Sequence, residues 1–191
     1  GATVDRSARP AFDPNQAYGL YLTMLAAAWS TFASDEAIQR QHDQLRGLAP
    51  HTHNADAVML RAVDLSHRQW LQLNQKRHLF RRAWSTFFRQ WDVLLCPVIA
   101  TAAMVHRQDG NTWDRTIEID GRTIAYNDQL FWPGIVGGYH LPASIVPIGR
   151  TKAGLPLGVQ VVGPIHGDRI AIAAASVLES LGYQFAKPAG L

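Results

Sequence analysis

Between Leu141 and Pro164 the chain reads LPASIVPIGRTKAGLPLGVQVVGP, with four prolines and four glycines set among short runs of Ile, Val and Leu. A helix cannot carry prolines at that density, because each removes a backbone donor and collides with the preceding turn. The apolar runs 143–148 and 157–162 therefore read as strands, joined by the turn RTKAGLP. The stretch holds no acid, histidine or cysteine. Many backbone constraints surround very little reactive chemistry.

Upstream the character differs. Residues 1–91 read as mainly helical, and residues 92–191 as an α/β region continuous with them in one domain. A first helix is expected over 16–33, where QAYGLYLTMLAAAWSTFA is apolar almost all round and so buried on several sides. Asp13 or Asn15 would cap it, with Pro14 in its first turn. A polar helix follows over 35–46, and LAPHTHN over 48–54 is a loop. Apolar residues then recur at Met59, Val63, Trp70, Leu73, Phe80, Trp84, Phe87 and Trp91. Steps of three and four predict one long helix over 57–91, interrupted in its stripe by Ser66 and Arg77.

From Asp92 the run DVLLCPV suggests a strand buried on both faces. TIEIDGRTI over 116–124 is a hairpin with Asp120-Gly121 in a type I′ turn. A helix is expected over 126–138, and a last one over 168–181 with Gly182 as its stop. Strands interspersed with helices place the chain in the α/β class.

Composition excludes several functions. With 47% hydrophobic and 17% charged residues, a packed core is expected rather than disorder. A net charge of +3 is too small to imply nucleic acid. No apolar run approaches the roughly 18 residues of a membrane span, so no membrane partner is expected. Residues 1–15 lack a basic stretch followed by an apolar one, so no signal peptide is expected. The single cysteine, Cys96, rules out an internal disulfide and fits a cytoplasmic protein.

Candidate reactive groups are few. Cys96, at the end of an apolar strand, reads as a buried thiol rather than a nucleophile. His51 and His53 form a lone His-x-His in a loop with no cysteine or carboxylate cluster, a poor metal site. No metal and no cofactor is expected. The arginines of the 57–91 segment could line a nucleic-acid groove, but a solvated basic face is the reading preferred, and no nucleic-acid partner is expected. Arg77 stands apart because it interrupts the apolar stripe. A guanidinium there needs a carboxylate or several carbonyls, and an ion pair is expected.

The pattern LPA-x4-P-x-G-x4-GLP-x-GVQ-x-VGP-x3-D, from Leu141 to Asp168, resembles the C-terminal part of the amidase signature family. DVLLCPV resembles that family's strand ending in proline, and the segment before it resembles the family's long helix. The resemblance covers most of 57–185. It implies part of a mixed β-sheet flanked by helices, and an amide-bond hydrolase working through a serine acyl-enzyme without a cofactor. That family's nucleophile is a serine activated by a second serine and a lysine. This sequence has no Ser-Ser pair, and its only lysines are Lys76, Lys152 and Lys187. No catalytic residue is therefore carried over, and the chain alone is expected to be inactive. Inside the matched region Val98 replaces the usual threonine, and Gly137 and His140 stand where many members have Asn and Gly. Phe131, Trp132 and Ile135 precede the LPA turn, where such enzymes line the acyl pocket, so they are the candidate substrate-binding residues; core packing is the alternative. The implied partners are an N-terminal catalytic half, a small-molecule amide and, through exposed apolar edges, further copies of the chain. The competing reading is a non-enzymatic interaction module presenting its long helix.

Overall fold

The computed structural model describes residues 1–52, 54–109 and 115–187. Helix α1 (Pro14–Ser30) starts where the Asp13 carboxylate accepts a hydrogen bond from the Asn15 N–H at 2.8 Å, with Pro14 in the first turn. Its all-round apolar surface is used on two sides. Ala17, Leu20 and Met24 enter one cluster, and Leu22 and Ala26 enter a second with Ala55, Met59 and Ala62. Helix α2 (Asp35–Gly47), capped by Ser34, buries none of its residues. Its His42 reaches Asp64 at 2.6 Å.

The single long helix expected over 57–91 is two helices. Helix α3 (Ala55–Leu60) ends at once, residues 61–64 turn, and α4 (His67–Phe87) begins afresh. Ser66 broke the apolar stripe because it is an N-cap. Its Oγ accepts from the Gln69 N–H at 3.3 Å, and Gln69 Oε1 accepts from the Ser66 N–H at 2.9 Å. This reciprocal capping box satisfies two orphan donors, a gain unavailable to a continuous helix. At 1.5 Å per residue, α4 is about 30 Å long rather than about 50 Å. It does not project as an arm: Phe80, Trp84 and Phe87 are buried. Phe12 meets Phe80 and Trp84 edge-on, with centroids 5.2 and 5.4 Å apart, and Phe80 meets Tyr139 at 5.5 Å.

Strand β1 (Leu94–Pro97) follows, then the hairpin of β2 (Thr116–Ile119) and β3 (Arg122–Ala125). Asp120 and Gly121 have φ of 49° and 73°, the two positive angles a type I′ turn requires. Instead of one helix over 126–138, a 3-10 turn (Tyr126–Leu130) leads into α5 (Phe131–Gly137). Strands β4 (Ala143–Arg150) and β5 (Pro156–Val162) complete a sheet in the order β1-β5-β4, with antiparallel pairing throughout. A bulge between Pro147 and Gly149 absorbs the proline's missing donor.

Leu94 and Cys96 of β1 lie opposite Val162 and Gln160 of β5, and Ala143 and Ile145 of β4 complete the two rows. Cys96 and Val162 join the aromatic cluster. Helix α6 (Asp168–Ser180) packs over β4 and β5. Strand β1 was expected to be buried on both faces, yet Leu95 is 52% exposed. The cover that α6 gives β4 and β5 does not reach it.

Candidate functional site

The LPA turn is positioned from α1 and α5. Tyr139, fully buried, donates its hydroxyl hydrogen to the Ala17 carbonyl at 2.6 Å and ties the end of α5 to the central helix. The Leu141 N–H reaches back to Val136 O at 3.3 Å, and the Gly163 N–H donates to Pro142 O at 2.9 Å. The turn is thus fixed both to α5 and to the end of β5. Between these anchors His140 is forced to φ 61°, a left-handed conformation costing a residue with a Cβ about 1–2 kcal/mol. Glycine adopts it freely.

Helix α5 carries the three predicted binding residues. Ile135 is buried in the main cluster, while Phe131 and Trp132 are half-buried at its edge. Phe131 meets Tyr18 edge-on at 5.4 Å and Trp132 at 5.2 Å. The three residues lie on one short helix, but they do not share one environment: Ile135 packs inward, and the two rings keep part of their surface open. Sequence reading missed why α5 is rich in glycine. A Cβ on Gly134 or Gly138 would lie 2.4 or 2.7 Å from the Tyr21 ring, so α5 sits against α1 only because both side chains are absent. The four-residue spacing of the two glycines was the available signal.

Cys96 is buried, and burial pushes its thiol up to about 11, so it is protonated at neutral pH. The Gln160 amide donates to Pro97 O at 2.7 Å, satisfying a polar side chain in the central strand. His51 is exposed, and His53 lies outside the described residues. Among the described residues no three His, Cys, Asp or Glu side chains gather to hold a metal. Among the described residues no helix is long and apolar enough to cross a membrane. Lys76, Lys152 and Lys187 are all exposed.

Arg77 does not make the ion pair expected of it. Its guanidinium donates to Asn74 Oδ1 at 2.7 Å and approaches His140 Nε2 at 3.3 Å. Desolvation first, then the Arg81 charge, lowers its affinity for a proton. Desolvation, Arg77, Arg81 and His78 together hold the His140 imidazole below its usual range, which favours the neutral ring as acceptor. Along α4 an open cleft of about 610 Å³ is lined by Gln75, His78, Leu79, Arg81, Arg82, Ser85 and Ile165.

Residues 13–170 match the sequence model of the family described as Amidase. An indoleacetamide hydrolase from Bradyrhizobium diazoefficiens is 25% identical over 159 residues, covering 80% of this chain and 28% of that protein. The A subunit of a glutamyl-tRNA(Gln) amidotransferase from Rhodospirillum rubrum is 33% identical over 122 residues, 64% of this chain and 22% of the subunit. The crystal structure of a bacterial aryl acylamidase superposes with a TM-score of 0.60 at 21% identity, covering 95% of this chain and 36% of that one. The chain thus spans only between about a fifth and just over a third of the length of these relatives.

Proposed function

The chain belongs to the amidase signature family, and on that premise we propose that it is the C-terminal portion of a carboxamide hydrolase, supplying sheet strands and one wall of the acyl pocket. The observation that carries this reading is coverage: a family match over residues 13–170 spans 28% of a full-length hydrolase relative. The remainder of such an enzyme would supply the nucleophile. Amide hydrolysis needs a nucleophile, a proton shuttle and oxyanion donors within hydrogen-bond reach of one another. The two serines and the lysine that serve the family have no counterpart in this sequence, so the chain alone is inactive.

Its own contribution is shape. Phe131 and Trp132 offer half-buried aromatic surface on α5, and Ile135 holds that helix to the core beneath them. Such a wall suits an aromatic or apolar acyl group. The names of two relatives, an indoleacetamide hydrolase and an aryl acylamidase, support aromatic substrates for the complete enzyme. A cytoplasmic location fits the single buried thiol.

Hydrolysis of a panel of aromatic and aliphatic carboxamides, indole-3-acetamide included, tests this. The chain is assayed alone and with a separately expressed N-terminal amidase half from the same source. Activity only on mixing is the expected result, and Phe131→Ala should then raise KM for the aromatic amides more than for the aliphatic ones. Hydrolysis by the chain alone, or none in either arm from well-folded protein, overturns the reading.

A further inference from the structure

At about 100° per residue, helix α6 carries two apolar stripes about 100° apart. Ala171, Ala175 and Leu178 form the stripe towards β4 and β5, with Ala171 buried and the other two half-buried. Ile170, Ala174 and Val177, continued by Leu181 at the end of the helix, form the other. The larger side chains stand on the uncovered stripe: Ile170, Val177 and Leu181 are 44, 59 and 69% exposed. A helix lying on one sheet in water normally has this the other way round. The spacing of four, three and four residues is that of the seam positions in paired helices. The charged residues of α6, Asp168, Arg169 and Glu179, all stand at least about 100° from the midline of the stripe. Nothing on it repels an identical stripe.

The chain then turns back. The Gly182 and Tyr183 N–H groups donate to Glu179 O and Leu178 O at 3.0 and 3.2 Å, and the exposed rings of Tyr183 and Phe185 follow Leu181 directly. With roughly 200 Å² on a large apolar side chain, these five residues expose about 600 Å² per copy. Two copies bring together about 1,200 Å², where the range of specific interfaces begins.

We propose that α6 pairs with α6 of a second copy of this chain, antiparallel and about a two-fold axis, through Ile170, Ala174, Val177 and Leu181. A contact of this kind uses the same patch on both copies and closes at two. Antiparallel order sets Ile170 against the partner's Leu181, and Ala174 against the partner's Val177, a small residue facing a larger one. Parallel order sets Ala174 against its own counterpart, leaves a gap there and aligns the two helix dipoles. The pairing involves neither the acyl wall nor a nucleophile, so it stands apart from amide hydrolysis. A chain that dimerises through α6 but restores no activity on mixing retires only the hydrolase reading.

The test is disulfide trapping in the 191-residue chain at tens of micromolar under mild oxidation. The native Cys96 is buried and stays out of the reaction. Ile170→Cys and Leu181→Cys, both at exposed positions, are made separately and then mixed. A covalent dimer is expected in the mixture and about tenfold less in either variant alone, because antiparallel order holds identical positions about 16 Å apart along the axis, beyond a disulfide's reach. Ile172→Cys, 58% exposed on the opposite face of α6, should not cross-link to Leu181→Cys. Adding Val177→Lys to both mixed variants should cut the trapped dimer by about tenfold or more, since it places a charge in the seam. No trapped dimer in the mixture, equal trapping in the single variants, or trapping at Ile172 as strong as at Ile170 overturns the proposal. So does loss of the dimer when the N-terminal amidase half is added, which assigns the stripe to that half. Trapping that survives the addition supports a second copy.

Discussion

The helical layer and the sheet layer of this molecule are finished to different degrees. Around α1, α4 and α5 apolar surface is met on several sides: α1 feeds two clusters, and the rings of Phe12, Phe80, Trp84 and Tyr139 close on each other edge to face. Around the sheet the cover is uneven: Val161 and Val162 of the central strand are buried on both faces, and the edge strands are not. Ala171 of α6 is buried, whereas Val177 on the same helix is 59% exposed and Leu181 just beyond it is 69% exposed. Leu95 and Ile145, on the two edge strands, are open as well. Amphipathic elements normally have one apolar face, and here α6 has two. The helical layer reads as a core that holds itself together; the sheet layer reads as part of a larger one. The open faces are what the fragment reading needs, and self-association of the isolated chain is the outcome they predict.

The largest effect expected from this contrast is at Trp84, which is 1% exposed. Trp84→Ala empties the centre of the ring cluster and should cost about 3–5 kcal/mol. Its Nε1 has no hydrogen-bond partner, so the substitution also removes an unmet donor and should fall at the low end of that range. Denaturant unfolding followed by circular dichroism measures it. A loss below about 1 kcal/mol would mean that the helical layer is not the self-sufficient part.

Two substitutions on α6 sharpen the comparison within one helix. Ala171 faces the sheet, where a Cβ built on Gly163 would lie 3.4 Å from the Ala171 Cβ. Ala171→Leu overfills that contact and should cost about 1–3 kcal/mol. Val177→Lys faces outward and should change the stability of the isolated chain by less than about 0.5 kcal/mol. Its effect belongs to association: light scattering at tens of micromolar should find a dimer or larger species in the parent and a monomer in the variant. A parent that is cleanly monomeric would show that the open face of α6 is tolerated by water and drives nothing.

Much of this was legible in the sequence, and the failures have physical causes. The β4–β5 hairpin, the Asp120-Gly121 turn and α6 follow from backbone constraints, which act locally and leave a mark on few residue types. The break between α3 and α4 was missed although Ser66-x-x-Gln69 is a capping box, because the apolar stripe continues in register across it. Periodicity reports which face is buried; it does not report whether the helix is continuous. The ion pair expected at Arg77 failed for a different reason. Sequence can show that a guanidinium needs a partner, but here the groups in reach are Asn74 and His140, the latter 63 positions away. At the proposed acyl wall, residue type marked Phe131, Trp132 and Ile135 alike. Only helix phase against α1 separates the inward Ile135 from the two half-open rings.

A small stability effect is expected at His140, where the two layers join. Its φ of 61° costs about 1–2 kcal/mol for a residue with a Cβ, and a glycine gives back about 0.5–1 kcal/mol through its freer unfolded chain. His140→Gly should therefore stabilise the chain by about 0.5 kcal/mol at pH 8. The gain should grow on acidification. Burial and the Arg77, Arg81 and His78 charges hold the folded imidazole below its usual range. A depressed folded value means that the unfolded chain takes up the proton first, so the stability His140 contributes is present above its unfolded value near 6.5 and is lost as pH falls through the folded one. Glycine has no such loss. Thermal unfolding of parent and variant at pH 8 and pH 5 reads both terms: a gain at pH 8 is backbone strain relieved, and the additional gain at pH 5 is the repulsion removed. Equal gains at the two pH values would place His140 away from the arginines in solution, with the left-handed turn as its only cost.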